Sequence, residues 1–320
     1  PMTSSASRLL AGRQSEYEKL ESQLRELYGR ETLLFNSGYH ANTGAVSALA
    51  QADRTLIVAD KLVHASIIDG MTLSHAPFTR FRHNDMAHLE RILAKESASY
   101  NRLMVVVESV YSMDGDRAPL DELVRLKRQY PKTMLYVDEA HALGVEGDRG
   151  LGLCRNIDGY EEIDVIIGTF GKACASMGAF AAVSDEIYHY LVNRARSLIF
   201  STALPPITVA WTSFMMDKIV EMNRERTHLK SLGEQLAAIL RPLVSVPAQI
   251  TPSHIQPFVT GDPVKAVSLS QALLTEGFKV LPIRRPTVPP GTDRLRISLS
   301  ASLTHKDIER FGEVLKRMTI

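Results

Sequence analysis

The sequence predicts an α/β fold: a large, mostly parallel sheet covered by helices, followed by a smaller C-terminal α+β domain. Three observations lead there. Short apolar runs end in a polar or glycine residue, helical patterns separate them, and the texture of the chain changes after about residue 205. Near-continuous runs of Val, Ile and Leu mark strands buried on both faces, the condition of a parallel sheet wrapped in helices. Alternation of strand and helix gives the doubly wound arrangement.

The strands read from Thr55–Asp60, Leu103–Glu108, Met134–Asp138 and Val165–Gly168. A helix over Asn84–Ser97 carries Met86, Leu89, Ile92 and Leu93 at helical spacing, with Asn84 or Asp85 as its cap. Another covers Leu120–Tyr130 and is stopped by Pro131. In such sheets ligands collect at the carboxyl ends of the strands, where Glu108, Asp138 and Gly168 lie. Residues 1–205 are assigned to this large domain. Residues 206–320 are assigned to a linking helix and the small domain. Pro205 and Pro206 punctuate the change, and a long helical stretch continues to about Leu240. Short strands are expected at Ile250–Val259, Lys279–Ile283 and Leu295–Leu299. Thr304 and Asp307 give the last helix a capping-box-like start.

Apolar residues make up 45% and charged residues 23% of the chain, as in an ordinary soluble enzyme. A formal net charge of +1 gives no reason to expect nucleic acid or a membrane as partner. No apolar run approaches the roughly 20 residues of a membrane span, and the N-terminus lacks a signal-peptide pattern. Cys154 and Cys174 are too few for a disulfide framework and lack zinc spacing, so no metal site and a reducing cytoplasm are expected. The chain opens on Pro1 without an initiator Met, as a trimmed form of a longer protein would.

The stretch "YVDEAHALG" (Tyr136–Gly144) contains DEAH, which in an ATPase holds Mg²⁺. That chemistry also needs a phosphate-cradling loop, G-x-x-x-x-G-K-[ST]. The Gly171–Lys172 pair is followed by Ala173, and Ile166 stands where the first glycine should be. The ATPase reading therefore loses its partner element. A different constellation fits. Lys172 directly follows a buried strand on a loop with two glycines, an unusual place for a solvated charge. There a lysine can be desolvated and serve as an imine-forming amine. Pyridoxal phosphate (PLP) chemistry needs such a lysine and a carboxylate that keeps the pyridine nitrogen protonated. Asp138 suits that role, although alone it reads equally as a turn-capping aspartate.

Seven motifs in order carry a resemblance: "SGYHAN" (Ser37–Asn42), "HASIIDG" (His64–Gly70), "ESVYSMDGDRAPL" (Glu108–Leu120), "VDEAHALGVEGDRGLG" (Val137–Gly152), "GTFGKA" (Gly168–Ala173), "FSTALPP" (Phe200–Pro206) and "RPTVPPGTDRLRISL" (Arg285–Leu299). Over nearly its whole length the chain resembles the α-oxoamine synthases. These are PLP-dependent transferases of fold type I that join an amino acid to an acyl thioester and lose CO₂. The resemblance implies that Lys172 holds the cofactor and moves the substrate's Cα proton. It places Asp138 on the pyridine nitrogen, His141 on the ring hydroxyl and His64 on the ring face, with Ser112 also touching the ring hydroxyl. Gly38 and Tyr39 open a helix whose free N–H groups suit the cofactor phosphate, with Thr169 beside them. Thr202 is expected to reach the phosphate of a neighbouring subunit, which implies a homodimer with a shared active site. Arg296 and Arg8 are the substrate-binding candidates. Arg296 is chosen for the α-carboxylate, since a guanidinium matches it with two hydrogen bonds. Arg294 lies on the same strand face, and periodicity does not separate the two.

Within the family, "VDEAHALGV", "GTFGKA" and "MGAF" most resemble the branch that makes 8-amino-7-oxononanoate for biotin synthesis from L-alanine and a pimeloyl thioester. Branches making 2-amino-3-ketobutyrate, 5-aminolevulinate or 3-ketosphinganine differ at single residues, and an aminotransferase or lyase on the same fold is a further alternative. The chain departs from the family at Tyr17, where histidine is common, at Val63, where asparagine is usual, and at Ala175, where glycine is common. The last departure predicts a loop that avoids a left-handed turn at residue 175. The family's N-terminal segment, which helps cover the acyl channel, is expected to be missing.

Overall fold

A computed structural model describes residues 2–11, 14–246 and 250–319. The chain divides into two compact units, residues 1–110 with 117–222, and residues 111–116 with 223–320.

The first unit holds α1 (Arg8–Ala11), α2 (Ser15–Tyr28), β1 (Glu31–Phe35), α3 (Gly38–Leu49), β2 (Thr55–Asp60), α4 (Ala65–Ser74), β3 (Phe78–Phe81), α5 (Met86–Glu96) and β4 (Arg102–Glu108). It continues with α6 (Leu120–Gln129), β5 (Thr133–Asp138), β6 (Val165–Thr169), β7 (Ala179–Val183), α7 (Asp185–Arg194), α8 (Arg196–Ile199) and α9 (Pro206–Glu221). Its seven strands form one sheet in the order β1-β7-β6-β5-β4-β2-β3. Only β7 runs against the others, pairing antiparallel with β1 and β6. The strands expected from the apolar runs are all present, and they are buried as that patterning requires. Ile57, Met104, Val106, Tyr136 and Ile167 pack on one face with Ala41, Ala45 and Val46 of α3 and Ile67 and Met71 of α4. Their alternates Val58, Val105, Val107, Leu135 and Ile166 point the other way and are equally buried. Asp85 caps α5 by accepting from the His88 N–H at 2.8 Å.

One close glycine contact and one hairpin position the site. In α4, a Cβ at Gly70 would lie 2.9 Å from Val46 Cβ and 3.1 Å from the Asn42 carbonyl oxygen. The bare backbone therefore lets α4 lie close against α3. Ser66, one turn earlier on the same face, is brought up to Asn42. The loop 170–178 joins β6 to β7 as a hairpin, closed by Phe170 N–H to the Gly178 carbonyl at 2.9 Å.

The second unit holds α10 (Asn223–Leu240), β8 (Ile255–Val259), α11 (Pro263–Thr275), β9 (Leu281–Ile283), β10 (Arg294–Ser298) and α12 (His305–Thr319). Its antiparallel sheet runs β8-β10-β9. Leu232, Leu236, Leu240, Phe258, Leu273, Leu295, Phe311 and Leu315 form its core. The capping box is formed: Thr304 N–H and Oγ1 both reach Asp307 Oδ2, at 2.8 and 2.7 Å, and the Asp307 N–H returns to Thr304 Oγ1 at 3.2 Å.

Three boundaries differ from the sequence reading. The stretch from Pro206 to Leu240 is two helices, broken where Met222 leaves helical geometry at φ −80°, ψ 43°. The unit boundary falls at that break and not at residues 205 and 206, because α9 packs on α2; Gln23 Nε2 donates to Ser213 O at 3.1 Å and to Asp217 Oδ1 at 2.6 Å. The strand expected from Ile250 starts only at Ile255, since 252–254 bend.

Gly70→Ala supplies a test of the α3–α4 approach. Helix propensity alone would stabilise this variant by about 1 kcal/mol. We expect a net loss of about 1–2 kcal/mol from overpacking, read as a lower urea midpoint. A raised midpoint would show that the two helices separate without cost.

Candidate active site

The carboxyl ends of β4, β5 and β6 and the N-terminal turns of α3 and α4 enclose a cavity of about 170 Å³. Gly38, Tyr39, Asn42, His64, Ser66, Glu108, Asp138, Ala140, His141, Thr169 and Lys172 line it. The first unit therefore brings together Gly38, Tyr39, His64, Asp138, His141, Thr169 and Lys172 from the sequence reading.

Asp138 ends β5 opposite Glu108 of β4 and Ile167 of β6. It is buried, and both oxygens have partners. The Ala140 N–H donates to Oδ1 at 2.8 Å and Asn42 Nδ2 donates to Oδ2 at 2.7 Å. Asn42 also donates to Ser66 Oγ at 3.0 Å and accepts from Tyr136 Oη at 2.8 Å. His64 caps α4, its Nδ1 lying 2.7 Å from Ser66 Oγ and accepting from the Ser66 N–H at 3.2 Å. Ser37 caps α3, and Gly38 leaves ordinary contact distance, 3.5 Å, between its Cβ position and Thr169. A helix start and a threonine hydroxyl thus share one end of the cavity, an arrangement suited to an anion.

Lys172 stands on the β6–β7 hairpin with Nζ 3.1 Å from His141 Nε2. Its side chain is exposed, contrary to the desolvation expected behind a buried strand, because the hairpin carries it outward past Thr169. The hairpin also contradicts the expectation at Ala175. This residue is left-handed, at φ 46°. Its N–H bonds the Lys172 carbonyl at 3.0 Å, and its own carbonyl accepts from Trp211 Nε1 at 3.0 Å. These bonds hold a turn that costs a non-glycine residue about 1–3 kcal/mol.

The remaining predicted residues are not among those that line the cavity. In the first unit, Arg8 pairs with Glu21 and lies over the Tyr17 ring at 5.1 Å. Thr202 bridges Ser7, and its carbonyl accepts from Asn36 Nδ2 at 2.7 Å. Ser112 and Arg296 both belong to the second unit, where Arg296 Nε donates to the Ser112 carbonyl at 2.6 Å. Arg294 is buried there and paired with Asp114. The two arginines that periodicity left equivalent differ in this way. Among the described residues no group of His, Cys, Asp and Glu could hold a metal ion, and no helix is long and apolar enough to cross a membrane.

Asn42, Ser66 and Tyr136 carry no role in the sequence reading. Asn42 and Ser66 sat inside quoted motifs, but an asparagine in a helix and a serine after a histidine read as local structure. Tyr136 lay within an apolar strand.

The model of the family described as aminotransferase class I and II matches residues 3–315. The chain belongs to this family. A relative in Pasteurella multocida is 51% identical over 318 residues, 99% of this chain and 82% of its own; it carries the provisional name 8-amino-7-oxononanoate synthase. Among solved structures, a serine palmitoyltransferase of S. paucimobilis with a bound PLP–myriocin aldimine has a TM-score of 0.90 at 31% identity, covering 99% of this chain and 79% of that one. The 8-amino-7-oxononanoate synthase of Francisella tularensis has a TM-score of 0.82 at 26% identity, covering 96% and 88%. The fold is that of the type I PLP transferases, and the chain is a PLP-dependent acyltransferase of the α-oxoamine synthase kind. The donor set suits PLP: a buried carboxylate for the ring nitrogen, an amine for the aldehyde and a helix start for the phosphate.

Glu139, next to Asp138, is fully buried and receives the Leu153 and Cys154 N–H groups on Oε1, at 2.7 and 3.1 Å. Burial, working against these bonds, pushes its carboxyl from 4.5 up to about 7. The folded chain thus keeps a proton that the unfolded chain releases near pH 4.5. The associated stability is whole below that pH and is lost as pH rises through 7. We expect the native protein to lose roughly 2–3 kcal/mol more than Glu139→Gln between pH 5 and pH 8, read from urea midpoints. Parallel profiles would refute this.

Proposed function

We propose that this enzyme condenses L-alanine with a pimeloyl thioester, releasing the thiol and CO₂ and giving 8-amino-7-oxononanoate for biotin synthesis. One observation carries the reading: Lys172, Asp138, His64 and His141 line a single cavity beside the start of α3. The names of the relatives support the branch.

When bound, PLP supplies an electron sink that stabilises negative charge at the substrate's Cα. The residues then divide the work. Asp138, steadied by Asn42 and the Ala140 N–H, would pair with the ring nitrogen and keep it protonated. Lys172 Nζ would hold the aldehyde carbon and would carry a proton to and from Cα. His141 is close enough to Lys172 to orient the ring hydroxyl on the same side. His64 covers the ring face. The α3 start, with Gly38, Tyr39 and Thr169, receives the phosphate. Arg296 binds the substrate carboxylate, a choice supported by the pairing of Arg294 with Asp114. Ser112, whose carbonyl accepts from Arg296 Nε, would make the second contact to the ring hydroxyl. The role of Arg8 in substrate binding finds less support, since its guanidinium is paired with Glu21.

A homodimer with Thr202 reaching the partner's phosphate completes the proposal. Leu10 and Phe200 are 83% and 70% exposed on elements next to the Ser7–Thr202 bridge, which supports burial against a second copy. The similarity to serine palmitoyltransferase favours one second reading, a synthase that uses L-serine and a longer acyl chain.

Thiol release measured with L-alanine, glycine and L-serine against acyl-CoAs of several lengths separates these readings. We expect turnover with L-alanine and pimeloyl-CoA; turnover with L-serine and palmitoyl-CoA alone would overturn the proposal. Lys172→Ala should remove the visible absorbance acquired on PLP addition and reduce activity by at least ~10³-fold, as loss of a covalent catalytic group does.

A further inference from the structure

Behind the cavity a chain of hydrogen bonds runs from Tyr136 through Asn42 to both Asp138 and Ser66, and from Ser66 to His64. Its direction follows from chemistry. Tyr136 is fully buried; burial first and the charge of Asp138 second raise its phenol well above the usual range, so it donates. Only the amide oxygen of Asn42 can accept that proton. This turns the amide nitrogen toward Asp138 Oδ2 and Ser66 Oγ. The opposite orientation would set the amide oxygen against a carboxylate oxygen 2.7 Å away. Ser66 Oγ, accepting from Asn42, donates its own O–H to His64 Nδ1 at 2.7 Å. The Ser66 N–H converges on the same nitrogen at 3.2 Å. With two donors aimed at Nδ1, the neutral imidazole carries its proton on Nε2.

We propose that Asn42 is a positioning residue: one amide holds Asp138 and, through Ser66, fixes His64 as the Nε2–H tautomer. The proposal rests on the roles given above to Asp138 and His64. It goes further in tying the group at the ring's nitrogen edge to the group at its face, so that neither can be reoriented without the other. It also assigns a purpose to Gly70, whose missing side chain lets Ser66 come within reach of Asn42.

The test reads the tautomer directly. Two-bond ¹H–¹⁵N correlation spectra of the labelled full-length protein, with and without PLP, distinguish Nε2–H from Nδ1–H imidazoles. The His64 signals are those lost in His64→Gln. Native His64 should be Nε2–H. Ser66→Ala and Asn42→Ala should each give a mixture with Nδ1–H, and Tyr136→Phe, which unlocks the amide, a smaller shift in the same direction. Each of Ser66→Ala and Tyr136→Phe deletes a single oxygen, so the test survives if Asn42→Ala does not fold. Binding supplies the second readout. Ser66→Ala should lower kcat while the PLP Kd stays within about threefold. Asn42→Ala should weaken PLP binding by about tenfold, near 1.4 kcal/mol, because Asp138 also loses a partner. An unchanged Nε2–H population in both Ser66→Ala and Asn42→Ala would overturn the relay, whatever the activity. If the tautomer shifts as expected but Asp138→Asn binds PLP normally, the relay stands and the role proposed for Asp138 fails.

Discussion

A carboxylate buried at the end of a central strand has to be given partners, and much of the first unit's packing is arranged to supply them. An unpartnered buried charge costs several kcal/mol. Asp138 meets that demand with one N–H from its own turn and one from a helix 96 positions away in sequence. The helix must therefore lie close. Small residues permit it: Ala41 and Ala45 face the core, and the bare Gly70 of α4 lies against Val46 and Asn42 of α3. The glycines and alanines of α3 and α4 thus work for the site as much as for the core.

Strand positions were legible because a sheet covered on both faces writes itself as unbroken apolar runs. β7 was passed over although it is equally buried; it reads AFAAV, where small residues blur the pattern. The break at Met222 left no glycine or proline to mark it, and residues 206–240 read as one helix. At the site, Lys172 and Asp138 stood out by their places after buried strands, and His141 entered only through the family resemblance. Asn42 and Ser66 did not stand out, since their work is done by contacts across the fold that leave no trace in local sequence. The choice between Arg294 and Arg296 was closed to periodicity for the same reason: the acidic partner of Arg294 is 180 residues away.

Ala175 shows where a sound local rule gives way. A residue with a side chain disfavours the left-handed region, yet the turn forms, because a backbone bond to Lys172 and an indole N–H from α9 specify it together. Tertiary bonds outweigh a penalty of this size, and the strain falls on the loop that carries Lys172.

That loop joins two antiparallel neighbours in a sheet that is mostly parallel. Every parallel pair in the sheet needs a crossover of a dozen or more residues. The β6–β7 link needs none, and no helix is threaded behind it. Its length can change by insertion or deletion while the ladder on either side keeps its register. A change of length there would alter how far Lys172 reaches while leaving the ends of β4 and β5 where they are.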